Sequence, residues 1–102
     1  MKENDILYSS WGYDQTNVDF YKVVKLSGSF ATIVNIPRRI VRSVRGSDFV
    51  MPVTDPVEAK HLAMRRKIHG SGSGEYLKIK SYAYAWLWDG KEIAKTASGY
   101  GH

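Results

Sequence analysis

Two kinds of chemistry are open to the polar and aromatic residues of this 102-residue chain, and their spacing separates them. Acid–base or metal chemistry needs titratable groups that converge. The three histidines are His61, His69 and His102, the first two eight residues apart and the third at the end of the sequence. Metal-binding histidines come with tighter spacing or nearby carboxylates, so each reads as a lone surface residue. Asp14 reads as a turn cap and Asp19 as a solvated strand-edge acid rather than as a catalytic pair. The run Gly70-Ser-Gly-Ser-Gly74 lacks the following Lys-Ser/Thr of a phosphate loop. There are no cysteines, hence no disulfide framework, thiol nucleophile or cysteine-based zinc site. The expectation is a protein that is not an enzyme and carries no cofactor or metal.

Binding chemistry is better supplied. In Glu75-Tyr-Leu-Lys-Ile-Lys-Ser-Tyr-Ala-Tyr-Ala-Trp-Leu-Trp88, even positions hold Tyr76, Lys78, Lys80, Tyr82, Tyr84, Trp86 and Trp88. Odd positions hold Leu77, Ile79, Ser81, Ala83, Ala85 and Leu87. A strand sends alternate side chains to opposite faces, so one side is small and apolar and the other aromatic and basic. Rings stack on bases, and lysines neutralise phosphates. Against this, burial stabilises aromatic side chains, which favours the core for Trp86 and Trp88. Exposure is favoured for Lys78 and Lys80 with Tyr82. Which side is the core stays open at this level.

The net charge is +5 but unevenly placed. Residues 1–21 carry four acids against Lys2, whereas residues 38–80 carry ten cations against four acids. Arg38, Arg39, Arg42 and Arg45, then Arg65, Arg66 and Lys67, are expected to join Lys78, Lys80, Tyr82 and Tyr84 in a face for polyanions or a partner. A second candidate patch is the loop bearing Trp11, Tyr13, Gln15 and Asn17. Its structural alternative has Trp11 and Tyr13 plugging one end of a barrel.

Short strands must position these residues. Asp5–Tyr13, Asp19–Leu26 and Phe30–Ile36 read as an antiparallel meander with turns at Gly12 and Ser27-Gly-Ser29. Pro37 marks a bend, Arg38–Arg45 is favoured as a strand, and Phe49–Val53 reads as a short edge strand limited by Pro52. Asp55-Pro-Val-Glu58 has the chemistry of a helix start, predicting one short helix from Pro56. Residues 64–68 are open between helix and strand; as a strand they form a hairpin with a long strand over 76–88. Asp89-Gly90 is a tight turn and Glu92–Ala97 a last strand. The expected fold is mainly β: a small, strongly curved antiparallel sheet or SH3-like barrel of six or seven strands with one short helix. One domain covers 1–102, with 98–102 a mobile tail. Neither an apolar run of about eighteen residues nor a signal peptide is present, so no membrane is expected and the cytoplasm is the default location.

The segment Tyr8-Ser-Ser-Trp-Gly-Tyr-Asp-Gln-Thr-Asn-Val-Asp-Phe-Tyr-Lys-Val-Val24 resembles a hallmark of short uncharacterised proteins carried by phages, prophages and plasmids. Ser81-Tyr82 and Trp88-Asp-Gly-Lys91 are similar to the same group, while residues 38–64 are peculiar to this chain. The resemblance implies a mobile-element context and carries no catalytic residues. In that context the expected role is stoichiometric inhibition of a host defence nuclease, as anti-CRISPR proteins do, by engaging the enzyme or its guide RNA or target DNA. The alternative is a small nucleic-acid-binding barrel serving replication or regulation.

Overall fold

The computed structural model describes residues 1–12, 16–53 and 63–96. They form β1 (Ile6–Trp11), β2 (Asn17–Ser27), β3 (Phe30–Ile36), β4 (Arg38–Val44), β5 (Ser47–Pro52), β6 (Met64–His69), β7 (Tyr76–Lys80), β8 (Ala83–Leu87) and β9 (Ile93–Thr96). Six of these close into an antiparallel barrel in the order β1-β2-β3-β6-β7-β8, with β8 returning to β1. The other three form a second sheet, β4-β5-β9. The expected small barrel is present, and the three-stranded sheet is added to it.

Alternation explains the barrel. Leu7, Tyr21, Val23, Ala31, Ile33, Leu77, Ile79, Ala83 and Ala85 point inward and form one buried cluster. Fully burying a side chain such as Leu7, Ile33 or Leu77 stabilises by about 1.5–3 kcal/mol. The small residues Ala31, Ala83, Ala85 and Ser9, all on inner faces, give a closed ring of only six strands the room it needs. The alanine-bearing side of residues 76–88 is therefore the core side, which answers the question left open by the sequence.

A second cluster lies outside the barrel wall. Val18, Phe20, Val34 and Ile36 project from the outer faces of β2 and β3 and pack with Val50 of β5. Ile6, Tyr8, Trp88 and Ile93 close its margins. The second sheet is thus a cover over β1–β3, and β2 and β3 are apolar on both faces because both are buried.

Tight turns fix the hairpins. Arg45 and Gly46 take φ values of 22° and 77° between β4 and β5, the left-handed pair that suits a two-residue hairpin. Gly70 has φ +78°, and a Cβ there would stand 2.4 Å from the Gly74 carbonyl oxygen. Residues 64–69 adopt the strand alternative and pair with β7 across a single 3₁₀ turn at Gly72–Gly74. The predicted long strand over 76–88 is two strands, joined by the two-residue loop Ser81-Tyr82. The helix expected from Pro56 and the tail at 98–102 lie outside the described residues. Among the described residues no helix is long and apolar enough to cross a membrane.

A candidate binding face on the outer barrel wall

Cross-strand register lines up one row of outward side chains. His69 stands opposite Tyr76, Tyr76 opposite Trp86, Trp86 opposite Tyr8, Tyr8 opposite Phe20, and Phe20 opposite Ile36. The second sheet covers the Phe20–Ile36 end. The β6–β8 end is open: Trp86 is 40% exposed and Tyr84 equally so. Tyr76 is the hub. Its ring stacks on His69 at 5.3 Å and 21°, meets Trp86 at 4.7 Å and 36°, and takes Tyr84 edge-on at 5.8 Å and 77°. Aromatic pairs of this kind contribute about 0.5–1.5 kcal/mol beyond their burial, so the rings are held in place before any ligand arrives.

Cations interleave with this row. Lys78 stands opposite Tyr84, and Lys67 opposite Phe30. The Arg65 guanidinium lies 4.0 Å above the Phe30 ring, and Lys80 Nζ is 5.8 Å from the Tyr82 ring centre. Of the predicted residues, Arg65, Lys67, Lys78, Lys80, Tyr82 and Tyr84 come together here. Arg66 does not: it alternates to the inner side, opposite Ala31, where it donates to Arg65 O at 2.9 Å and lies near Met64 Sδ.

At one mouth of the barrel the two predicted patches meet. Trp11 packs against the interior cluster and lies 5.4 Å from Tyr82. Its indole N–H donates to Asp19 Oδ2 at 2.8 Å, and Arg38 Nη1 is 3.6 Å from Asp19 Oδ1 while donating to Val18 O at 3.1 Å. Arg38, Asp19, Trp11, Tyr82 and Lys80 thus form a continuous chain from β4 to the β7–β8 turn. Asn17 faces Trp11 across β1–β2. Tyr13 and Gln15 lie outside the described residues.

The remaining arginines depart from the expectation. Arg39, Arg42 and Arg45 sit on β4 or its turn, in the sheet that covers β1–β3, and are not on the β6–β8 wall. Pro37 directs the chain off the barrel, and the apolar outer faces of β2 and β3 decide where it packs. Arg42 is engaged within its own sheet, with Nε 2.5 Å from Glu92 Oε1 and the guanidinium 3.7 Å above Phe49.

Trp86 is also a correction, since it stands on the exposed side and not in the core. Trp88 is half-buried, edge-on to Phe20 at 6.2 Å, with its N–H donating to Lys91 O. Sequence reasoning missed His69 as a member of the face, and placed Tyr76 on the aromatic side without counting it among the binding residues. The signal was present: Tyr76 shares the parity of Lys78 and Tyr84, and His69 shares that of Arg65 and Lys67.

Comparison with protein-family models, with curated proteins and with solved structures finds no match to this chain.

Proposed function

We propose that this chain is a non-enzymatic binding protein whose β6–β8 wall takes an unpaired polynucleotide strand. What supports the reading is the exposure of Trp86 and Tyr84 on the face that also carries Lys78. Tyr84 and Trp86 are two residues apart on one strand, and so about 6.8 Å apart along it. Bases in a duplex rise about 3.4 Å per step and already stack on one another, so they offer these rings no free π face. An extended single strand does. Each ring is worth about 1–3 kcal/mol when a base stacks on it.

Arg65, Lys67, Lys78 and Lys80 supply the charge. If three or four phosphates are neutralised, log K against log salt has a slope of about −2 to −3 for a single strand. The test is titration of indole fluorescence with a dT oligonucleotide and with a duplex of equal length, at two salt concentrations. Quenching is expected with the single strand, weaker with the duplex, and lost in Trp86→Ala. Equal quenching by both forms, or none at low salt, rejects the proposal.

The resemblance of the Tyr8–Val24 segment to mobile-element proteins favours a second reading, in which the wall occupies a strand or a surface inside a host defence nuclease. Capture from host lysate with and without nuclease digestion separates the two. A protein retained after digestion favours the inhibitor; loss of all captured material favours plain strand binding.

A further inference from the structure

The barrel has no free edge, because β8 pairs with β1. The second sheet has two. Its β9 edge is tied to the barrel: Thr96 N–H donates to Thr16 O at 2.9 Å, and Thr16 N–H donates to Thr96 Oγ1 at 2.8 Å. The other edge is β4, whose seven residues are all exposed and whose ladder partner among the described residues is β5 alone. A strand of this length, with no second ladder partner among the described residues, presents a row of backbone donors and acceptors to any strand that fits. Ile40 is 57% exposed and Val44 50%, so the same edge also offers apolar contact.

We propose that β4 is a strand-addition site for an extended peptide segment bearing acidic residues. Main-chain ladder bonds supply the attraction in such complexes, and side chains select the sequence. Here the selecting side chains are Arg39 on the edge and Arg45 at its turn end, Arg42 being engaged by Glu92 and Phe49. Opposite charges across a strand pair stabilise it, and like charges directly opposed destabilise it. Two copies of this chain joined at β4 would crowd their arginines into one ribbon, so the edge discriminates against itself and in favour of an acidic strand. The inference is independent of the β6–β8 wall and concerns a protein partner.

Amide NMR of the intact chain tests it with three octapeptides: one alternating Glu and Val, one alternating Lys and Val, and the Glu–Val peptide N-methylated at alternate residues. The acidic peptide is expected to shift and protect amides of residues 38–44, with the other two inactive. Arg39→Glu is expected to weaken the acidic peptide by about tenfold or more, while Trp86→Ala leaves it unchanged. Shifts confined to β6–β8 overturn the proposal, as does equal binding of the N-methylated peptide. A concentration-dependent dimer through β4, seen by sedimentation, overturns it also.

Discussion

Trp11 and Tyr82 stand 5.4 Å apart with their rings tilted by 55°, joining the loop end of β1 to the turn between β7 and β8. Asp19 holds the Trp11 side of this contact by accepting the indole N–H at 2.8 Å. The carboxylate also faces Arg38 at 3.6 Å, but that pair is substantially exposed and contributes little. Asp19→Ala leaves a half-buried indole donor without its acceptor and is expected to cost about 1–2 kcal/mol in urea unfolding. Asp19→Asn keeps an acceptor and should cost less than half as much. Equal losses in the two variants would show that charge, and not the hydrogen bond, does the work.

Two tryptophans only two residues apart are expected to separate stability from binding. Trp86 is 40% exposed on the open wall, whereas Trp88 packs edge-on against Phe20 beneath the margin of the second sheet. Trp88→Ala should lower unfolding free energy by about 2–3 kcal/mol, somewhat under the loss for a fully buried aromatic. Trp86→Ala should lower it by under about 1 kcal/mol while weakening strand binding by about 1–3 kcal/mol. Thermal melts and oligonucleotide titrations of both variants provide the comparison. Loss of binding in Trp88→Ala alone would move the binding face off the β6–β8 wall.

The residues 75–88 show how much the sequence carries and where it stops. Period-two alternation correctly divided them into an apolar and an aromatic–basic side. Closure of the ring decided which was inside: a six-strand interior accommodates Ala83 and Ala85, and large rings at these positions would overfill it. The turn at Ser81-Tyr82 was hidden because it contains no glycine, proline, asparagine or aspartate. The bulge between Lys78 and Lys80 also keeps the alternation in phase through the hairpin. The separation of the β4 arginines from the wall has its own signal in the sequence. Phe20-Tyr21 and Ile33-Val34 place apolar residues on both faces of their strands, which marks strands covered on both sides. Reading them so predicts a second layer over β2 and β3, and the segment after Pro37 is what supplies it.

Ala85 tests the argument about interior volume. It is fully buried and stands opposite Leu77, which is also fully buried. Ala85→Leu adds three carbon atoms to a closed ring whose walls cannot separate without breaking ladder bonds. Overpacking of this kind costs about 1–3 kcal/mol, and the upper end is expected here. Denaturant unfolding measures it; an unchanged midpoint would mean that the barrel interior has room to spare.

Gly70 is a second backbone test, made at the turn that brings β6 to β7. Its φ of +78° disfavours any side chain, and a Cβ would meet the Gly74 carbonyl oxygen at 2.4 Å. Gly70→Ala should therefore destabilise by about 1–3 kcal/mol, against under about 1 kcal/mol for Gly74→Ala, where nothing lies within 4 Å. Because His69 precedes this turn and Tyr76 follows it, the first variant should also loosen the His69–Tyr76 stack. Broadening of the His69 and Tyr76 ring signals in NMR is the expected sign, and sharp, unshifted signals would show that the stack does not depend on the turn.

Alkaline pH isolates Tyr21 within the barrel. Burial pushes its phenol above the ordinary 10.0 and the Asp19 charge pushes the same way, while a side-chain hydrogen bond with Asn35 and the charge of Arg66 pull it back. With the folded value raised, the native chain keeps a proton that the unfolded chain releases as pH passes about 10. The unfolded state then binds fewer protons, so stability falls as pH rises through that point. The contribution is complete below about pH 10 and disappears progressively above it. Tyr21→Phe cannot ionise and should flatten this part of the profile. The two proteins share every other ionisable group, so the difference between the two urea-midpoint curves reports Tyr21 alone. Parallel curves from about pH 9 to about pH 11 would mean that the phenol ionises as freely in the barrel as in water.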